Sequence, residues 1–158
     1  MRNNRKGFSL IELLVVVAII LIIAAIAMPN LLRSIMAANE ASAVQSLRTM
    51  ISTSTLYDST YGTYPQMLTY LGPSGNQLPW VEAADLIDAR LATGVKSGYN
   101  FTWTPGPVDP TGHIVSFSVV AQPTYLNVTG QRTFYTDSTG VIRSESAGIA
   151  TSSSSPIN

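Results

Sequence analysis

Residues 13–28 are all apolar, and no formal charge occurs from Leu13 to Leu32. Nothing else in the 158-residue chain limits the fold so strongly. As a helix, about 20 apolar residues span a ~30 Å hydrocarbon core. A helix that is apolar on every side needs lipid or other apolar helices around it. Arg2, Arg5 and Lys6 precede the run and Arg33 follows it. The basic cluster on the N-terminal side predicts a cytoplasmic N-terminus.

Two residues are out of place in a plain membrane span. Glu12 puts a carboxylate at the start of the run, and Pro29 sits at its end. A lone carboxylate in hydrocarbon costs several kcal/mol unless it is neutralised or paired. Proline within a helix removes an amide donor and clashes one turn back, at about 3 kcal/mol. One reading is a secretory signal peptide cut after Ala25-Ile26-Ala27, an A-x-A-like site. The run is longer than a signal core, however, and Glu12 would lie inside it. A plain membrane anchor explains the length but gives Glu12 no purpose.

The stretch "KGFSLIELLVVVAII", followed by Pro29, resembles the leader and N-terminal segment of type IV pilins and the related pseudopilins. The resemblance covers roughly residues 6–30, and helical periodicity extends it to about residue 60. It implies a basic leader, Met1–Gly7, removed by a prepilin peptidase that cuts between Gly7 and Phe8. It also implies N-methylation of the new terminal Phe8. Glu12 then stands at the fifth mature position, where the family has its glutamate, and Pro29 matches the family's helix-bending proline. Gly7 and Phe8 are therefore expected to be processing residues, and Glu12 and Pro29 assembly residues.

The chemistry of Glu12 fits that expectation. Cleavage would create an α-amino group at Phe8, with a reference pKa near 8. An ammonium and a carboxylate ~4 Å apart interact by roughly 4 kcal/mol at an effective dielectric of about 20. Phe8 and Glu12 are i and i+4 on one helix. In staggered helices, Glu12 of one copy can meet the terminal amine of the next and so fix their register. The alternative is a carboxyl that stays neutral within the membrane. Pro29 is expected to mark a bend or a locally unwound segment; the alternative is that it ends the helix.

The helical period continues past Pro29. Leu32, Ile35/Met36, Val44, Leu47 and Ile51 recur at helical spacing, with Arg33, Glu40, Gln45 and Arg48 between them. No Gly or Pro interrupts residues 30–61. One bent helix over residues 8–60 is expected, ~75 Å long, with 8–32 as membrane span and filament core. Residues 61–98 read as a connection from helix to sheet, with a helical turn near Gln66–Leu71 and a short amphipathic helix over 81–92 closed by Gly94. Residues 99–145 read as sheet. "GYNFTWT" and "HIVSFSVVA" alternate, and "QRTFYT" and "GVIRSE" flank a "DSTG" turn. The expected class is α+β: a long bent N-terminal helix packed against a C-terminal antiparallel sheet of three to four strands. Residues 146–158 read as a flexible tail.

Composition bears on function by exclusion. The chain has no Cys and one His, so thiolate metal sites, disulfides and thiol catalysis have no residues to build them. The disulfide that closes many pilin heads is missing. His113 and the carboxylates Asp109 and Asp137 read as residues of surface turns. Asn100 and Asn127 match the N-glycosylation pattern, and Ser152–Ser155 could carry O-linked sugar. No catalytic residues, cofactor or metal are expected, and the chain reads as no enzyme. Without Arg2, Arg5 and Lys6, six basic residues face nine acidic ones, so no nucleic-acid partner is expected.

The resemblance implies a structural subunit of a type IV pilus-like surface filament. Its partners would be identical subunits, the prepilin peptidase and methyltransferase, and the assembly machinery. It would reside in the inner membrane as precursor and at the cell surface once assembled. Three rivals stand beside it: a type II secretion pseudopilin, a membrane-anchored binding or sensor domain that does not polymerise, and a secreted soluble domain cut after Ala27.

Overall fold

The computed structural model describes residues 8–75 and 78–157. Its first element is the helix α1, Leu10–Tyr61. The chain divides within α1 into two compact units, one up to Ile35 and one from Met36 onward. Among the described residues, the N-terminal unit is helix with a short lead-in, and almost all its side chains are exposed. α1 is long and apolar enough to cross a membrane by length and composition.

The second unit is the head. It holds a six-stranded antiparallel sheet: β1 (Val95–Lys96), β2 (Tyr99–Pro105), β3 (Phe117–Pro123), β4 (Thr133–Asp137), β5 (Arg143–Glu145) and β6 (Ser155–Pro156). Each strand pairs with its predecessor, in the order β1 to β6. Register is set by alternation. Tyr99 and Phe101 of β2 and Phe117, Val119 and Ala121 of β3 are buried. Their neighbours Asn100 and Thr102 are exposed. The buried side chains meet the face of α1 that carries Ala43, Leu47, Met50 and Tyr57. This is the expected α+β layering, with helix on one face of an antiparallel sheet.

The sheet is wider than the three to four strands expected. β1 and β6 are two residues each, too short to show alternation. β6 lies in the segment expected as a flexible tail, where Ala150 is also buried and its amide donates to Thr133 Oγ1 at 2.8 Å. β3 begins at Phe117 rather than near His113, and Val115, which the alternation puts on the same face as Phe117 and Val119, is exposed.

The helix expected over residues 81–92 is reduced to α2, Ala89–Ala92. Asp88 caps it, accepting the Leu91 amide at 3.0 Å. Asp85 has φ of 55°, which breaks a helix there. The segment before it pairs outward instead: Ala84 N donates to Tyr70 O, Asp85 N to Gly72 O, and Leu86 N to Leu71 O. The expected turn near Gln66–Leu71 is a 3₁₀ helix, Leu68–Leu71. Close packing also explains Gly130, since a Cβ there would lie 2.2 Å from the Tyr99 hydroxyl.

Ser54 is fully buried in α1, and its hydroxyl has no hydrogen-bond partner. An unpaired buried hydroxyl costs about 1–3 kcal/mol, and Ala also has the better helix propensity. Ser54→Ala is expected to raise stability by about 1 kcal/mol, or roughly 4 °C in melting temperature. Thermal unfolding of the full chain in detergent checks this, and an unchanged or lower transition would refute it.

Candidate assembly site

The N-terminal unit carries the residues that the sequence marks for processing and assembly. Gly7, with the rest of the expected leader, lies outside the described residues. Phe8 is 85% exposed. Ser9 precedes the first helical residue, and its amide donates to Glu12 Oε2 at 2.9 Å. Leu13 N closes the first turn on Ser9 O at 3.3 Å. Ser9-Leu10-Ile11-Glu12 thus supplies one half of a capping box, in which the third helical residue reaches back to an amide that the helix leaves free. Sequence reasoning missed this use of Glu12, although the S-x-x-E spacing announces it.

The cap places the carboxylate beside the amide next to Phe8. That position suits a charge intended for an amine at Phe8 or at the same end of another helix. Pro29 is remote from this pair. Seventeen residues further along the same helix, it lies about 26 Å from Glu12. Helical geometry continues through Pro29, so neither a locally unwound segment nor a helix end occurs there. The proline lacks the amide that would bond the Ala25 carbonyl. The next residue adds a bond nearby: Asn30 Nδ2 donates to Ile26 O at 3.3 Å.

Between these two positions the helix is exposed on all sides. Leu10 is 80% and Ile22 64% accessible, and Val17, the least exposed Val or Leu of the run, is 47%. Leu10, Leu13, Leu14, Val17, Ala18 and Leu21 line a shallow apolar groove along it. Such a surface, uncovered, is unstable in water: each Å² of apolar area left exposed forgoes about 25 cal/mol.

Residues 2–28 match the family model described as the prokaryotic N-terminal methylation motif. The N-terminal segment is thus similar to that of proteins carrying this motif. A curated relative, the type IV wide pilus major component PilA4 of Thermus thermophilus, is 58% identical over 38 residues. That alignment covers 24% of this chain and 29% of the relative, so the chain spans less than a third of the protein it matches. No solved structure matches the chain. Beyond that segment, the head rests on its own sequence and geometry.

The head holds one charged constellation that the sequence reading misplaces. By sequence Glu40 groups with the polar residues between the apolar ones, yet it is 8% exposed and lies on the buried face of α1. The spacing of Met36, Glu40, Ala43, Leu47, Met50, Ser54 and Tyr57 is a steady four-three alternation and contains the signal. Glu40 Oε1 accepts from the amides of Gln131 (2.8 Å) and Arg132 (3.2 Å), and Oε2 from Arg132 Nε (2.8 Å). Burial alone would push this carboxyl up. The Gln131 amide and the Arg132 guanidinium and amide outweigh burial and hold it below the usual glutamate value. Arg132 also lies over the Phe134 ring at 5.3 Å, and its carbonyl accepts the Tyr99 hydroxyl at 2.8 Å. Asn39 Nδ2 adds a bond to Thr129 O at 2.9 Å. Together these bonds fasten the 129–132 segment to α1.

The turn carboxylates are taken up locally. Asp109 Oδ1 accepts from Thr111 N, Thr111 Oγ1 and His113 N, and the Thr111 hydroxyl is the first cause holding its carboxyl low. Asp137 Oδ1 accepts both donors of Thr139. Among the described residues, no three His, Cys, Asp or Glu side chains cluster as metal ligands.

Proposed function

We propose that the chain is the precursor of a type IV pilin-like structural subunit. The leader is cut after Gly7, Phe8 becomes the N-methylated terminus, and the mature subunit polymerises into a filament at the cell surface. Before assembly the apolar helix sits in the inner membrane, with its basic leader in the cytoplasm. On assembly the helices leave lipid for one another. This exchange of one apolar environment for another carries no large burial cost.

The observation that carries the reading is the helix from Leu10 to Leu32, uncovered on every side and headed by the methylation motif. It supports a subunit whose apolar face is completed by copies of itself. Glu12 then pairs with the Phe8 amine of a neighbour and sets the stagger. Pro29 leaves one carbonyl of the spine free and provides a place to bend. The partners are identical subunits, a prepilin peptidase and methyltransferase, and an export and assembly machine. A pseudopilin of a type II secretion system uses the same residues, and the length of the filaments separates the two.

Intact-mass and N-terminal analysis of the mature chain tests the processing step. The expected result is a chain that begins at methylated Phe8. A terminus at Met28 would mean secretion after signal cleavage and would overturn the proposal.

A further inference from the structure

The head presents a cleft and a turn of complementary chemistry in places where one chain cannot bring them together. The cleft, of about 310 Å³, is lined by the apolar Ala41, Val44 and Ile157 and by Glu40, Arg48 and Arg132. Both oxygens of Glu40 are engaged, and Arg132 uses only Nε in that contact. Arg48 is exposed, and its guanidinium makes no hydrogen bond or ion pair with the described residues. The cleft therefore offers apolar surface together with unfilled guanidinium donors, a combination that suits an apolar side chain beside a carboxylate.

The turn is Trp80–Ala83, closed by Trp80 N to Ala83 O (3.1 Å) and Ala83 N to Trp80 O (2.9 Å). Its tip carries Val81 and Glu82. The Tyr57 hydroxyl donates to Val81 O, and Ala84 N donates to Tyr70 O at 2.8 Å, so the turn is held firmly on the head. Trp80 and Val81 are 47% and 41% exposed. The Glu82 carboxylate is exposed and has no ion pair among the described residues. Trp is enriched among the residues that dominate protein contacts, and its ring stacks on Arg.

Tyr57, which holds the turn, is nine residues beyond Arg48 on α1. That is about 14 Å along the helix axis and half a turn around it. The turn is therefore displaced from the cleft of its own chain, and it does not line that cleft. A second copy with its helix parallel and shifted by that distance brings the two level. We propose that the Trp80–Glu82 turn of one copy docks in the Arg48–Arg132 cleft of the next. The contact joins different patches of identical chains, so it propagates copy to copy instead of closing a dimer. This inference rests on the polymer reading above and names the head contact that accompanies the helix contact.

The chain has no cysteine, so engineered thiols report without background. Arg48→Cys and Glu82→Cys are combined in the full-length protein, and filaments are treated with a short bismaleimide. The expected result is a ladder of cross-linked oligomers from the double variant, and monomer from either single variant. A companion experiment uses charge reversal. Arg48→Glu is expected to lower filament yield at least tenfold with processed subunit still present in the membrane, and adding Glu82→Arg is expected to restore it. Double-cysteine filaments that give only monomer overturn the contact alone, as does an Arg48→Glu loss that Glu82→Arg leaves unrepaired. Wild-type protein that forms no filaments overturns the polymer reading and the contact together.

Discussion

Glu12→Ala is expected to reduce filament yield by more than tenfold, with precursor and processed subunit still present in the membrane. The residue has two uses, and one substitution does not separate them. In the single chain Glu12 caps its own helix through the Ser9 amide. In the proposed filament it pairs with the terminal amine of a neighbour. A helix cap contributes about 1 kcal/mol, whereas a charge pair in an apolar core contributes several-fold more and leaves an uncompensated charge when broken. Glu12→Gln distinguishes them, because the amide oxygen still accepts from Ser9 N but carries no charge. If pairing governs assembly, Gln fails as Ala does. Normal filament yield from Glu12→Gln would reduce the role of Glu12 to capping. Electron microscopy of sheared filaments, with immunoblots of membrane subunit as control, reads both variants.

Glu40→Ala is expected to produce a large loss of stability in the head. It leaves the Gln131 and Arg132 amides without their acceptor and frees a guanidinium that is only half exposed. About 3 kcal/mol is expected, discounted for the solvent that reaches Arg132. That corresponds to a fall on the order of 10 °C in the melting temperature of the full chain in detergent. Glu40 is also a source of pH dependence. Its carboxyl is lower in the folded state than in the unfolded one, so its contribution is complete above the unfolded glutamate value, near pH 4.3. The contribution is lost as pH falls through the folded value. The wild-type melting temperature should therefore drop more steeply than that of Glu40→Gln between about pH 5 and pH 3. Parallel curves for the two proteins would remove Glu40 from the acid response.

The parts of the fold that depend on simple periodicity were legible in the sequence. The apolar run from Leu13 and the uninterrupted stretch to Tyr61 predicted α1, and the alternation of Tyr99, Phe101 and Phe117, Val119 predicted β2 and β3. What was hidden depended on partners distant in sequence. Residues 81–88 have helical composition, but the carbonyls of Tyr70, Leu71 and Gly72 claim their amides. β6 forms only because Arg143 and Ser144 offer an edge. Glu40 looks like a solvent-facing charge until the 131–132 backbone is placed against it. At the candidate site, Glu12 was found through its incongruity in an apolar run. Its capping bond was equally present in the sequence, in the interval from Ser9.

The order of the sheet governs how the head can fold as it is made. Every strand pairs with the strand just made, on a helix that precedes them all. Pairings between sequence neighbours close short loops and are the quick ones to form. No step waits for a late segment to thread between earlier ones, because β6 adds to an open edge. With no cysteine in the chain, none waits for oxidation either. The head can finish folding in the order it emerges, and at the same rate in reducing and oxidising surroundings.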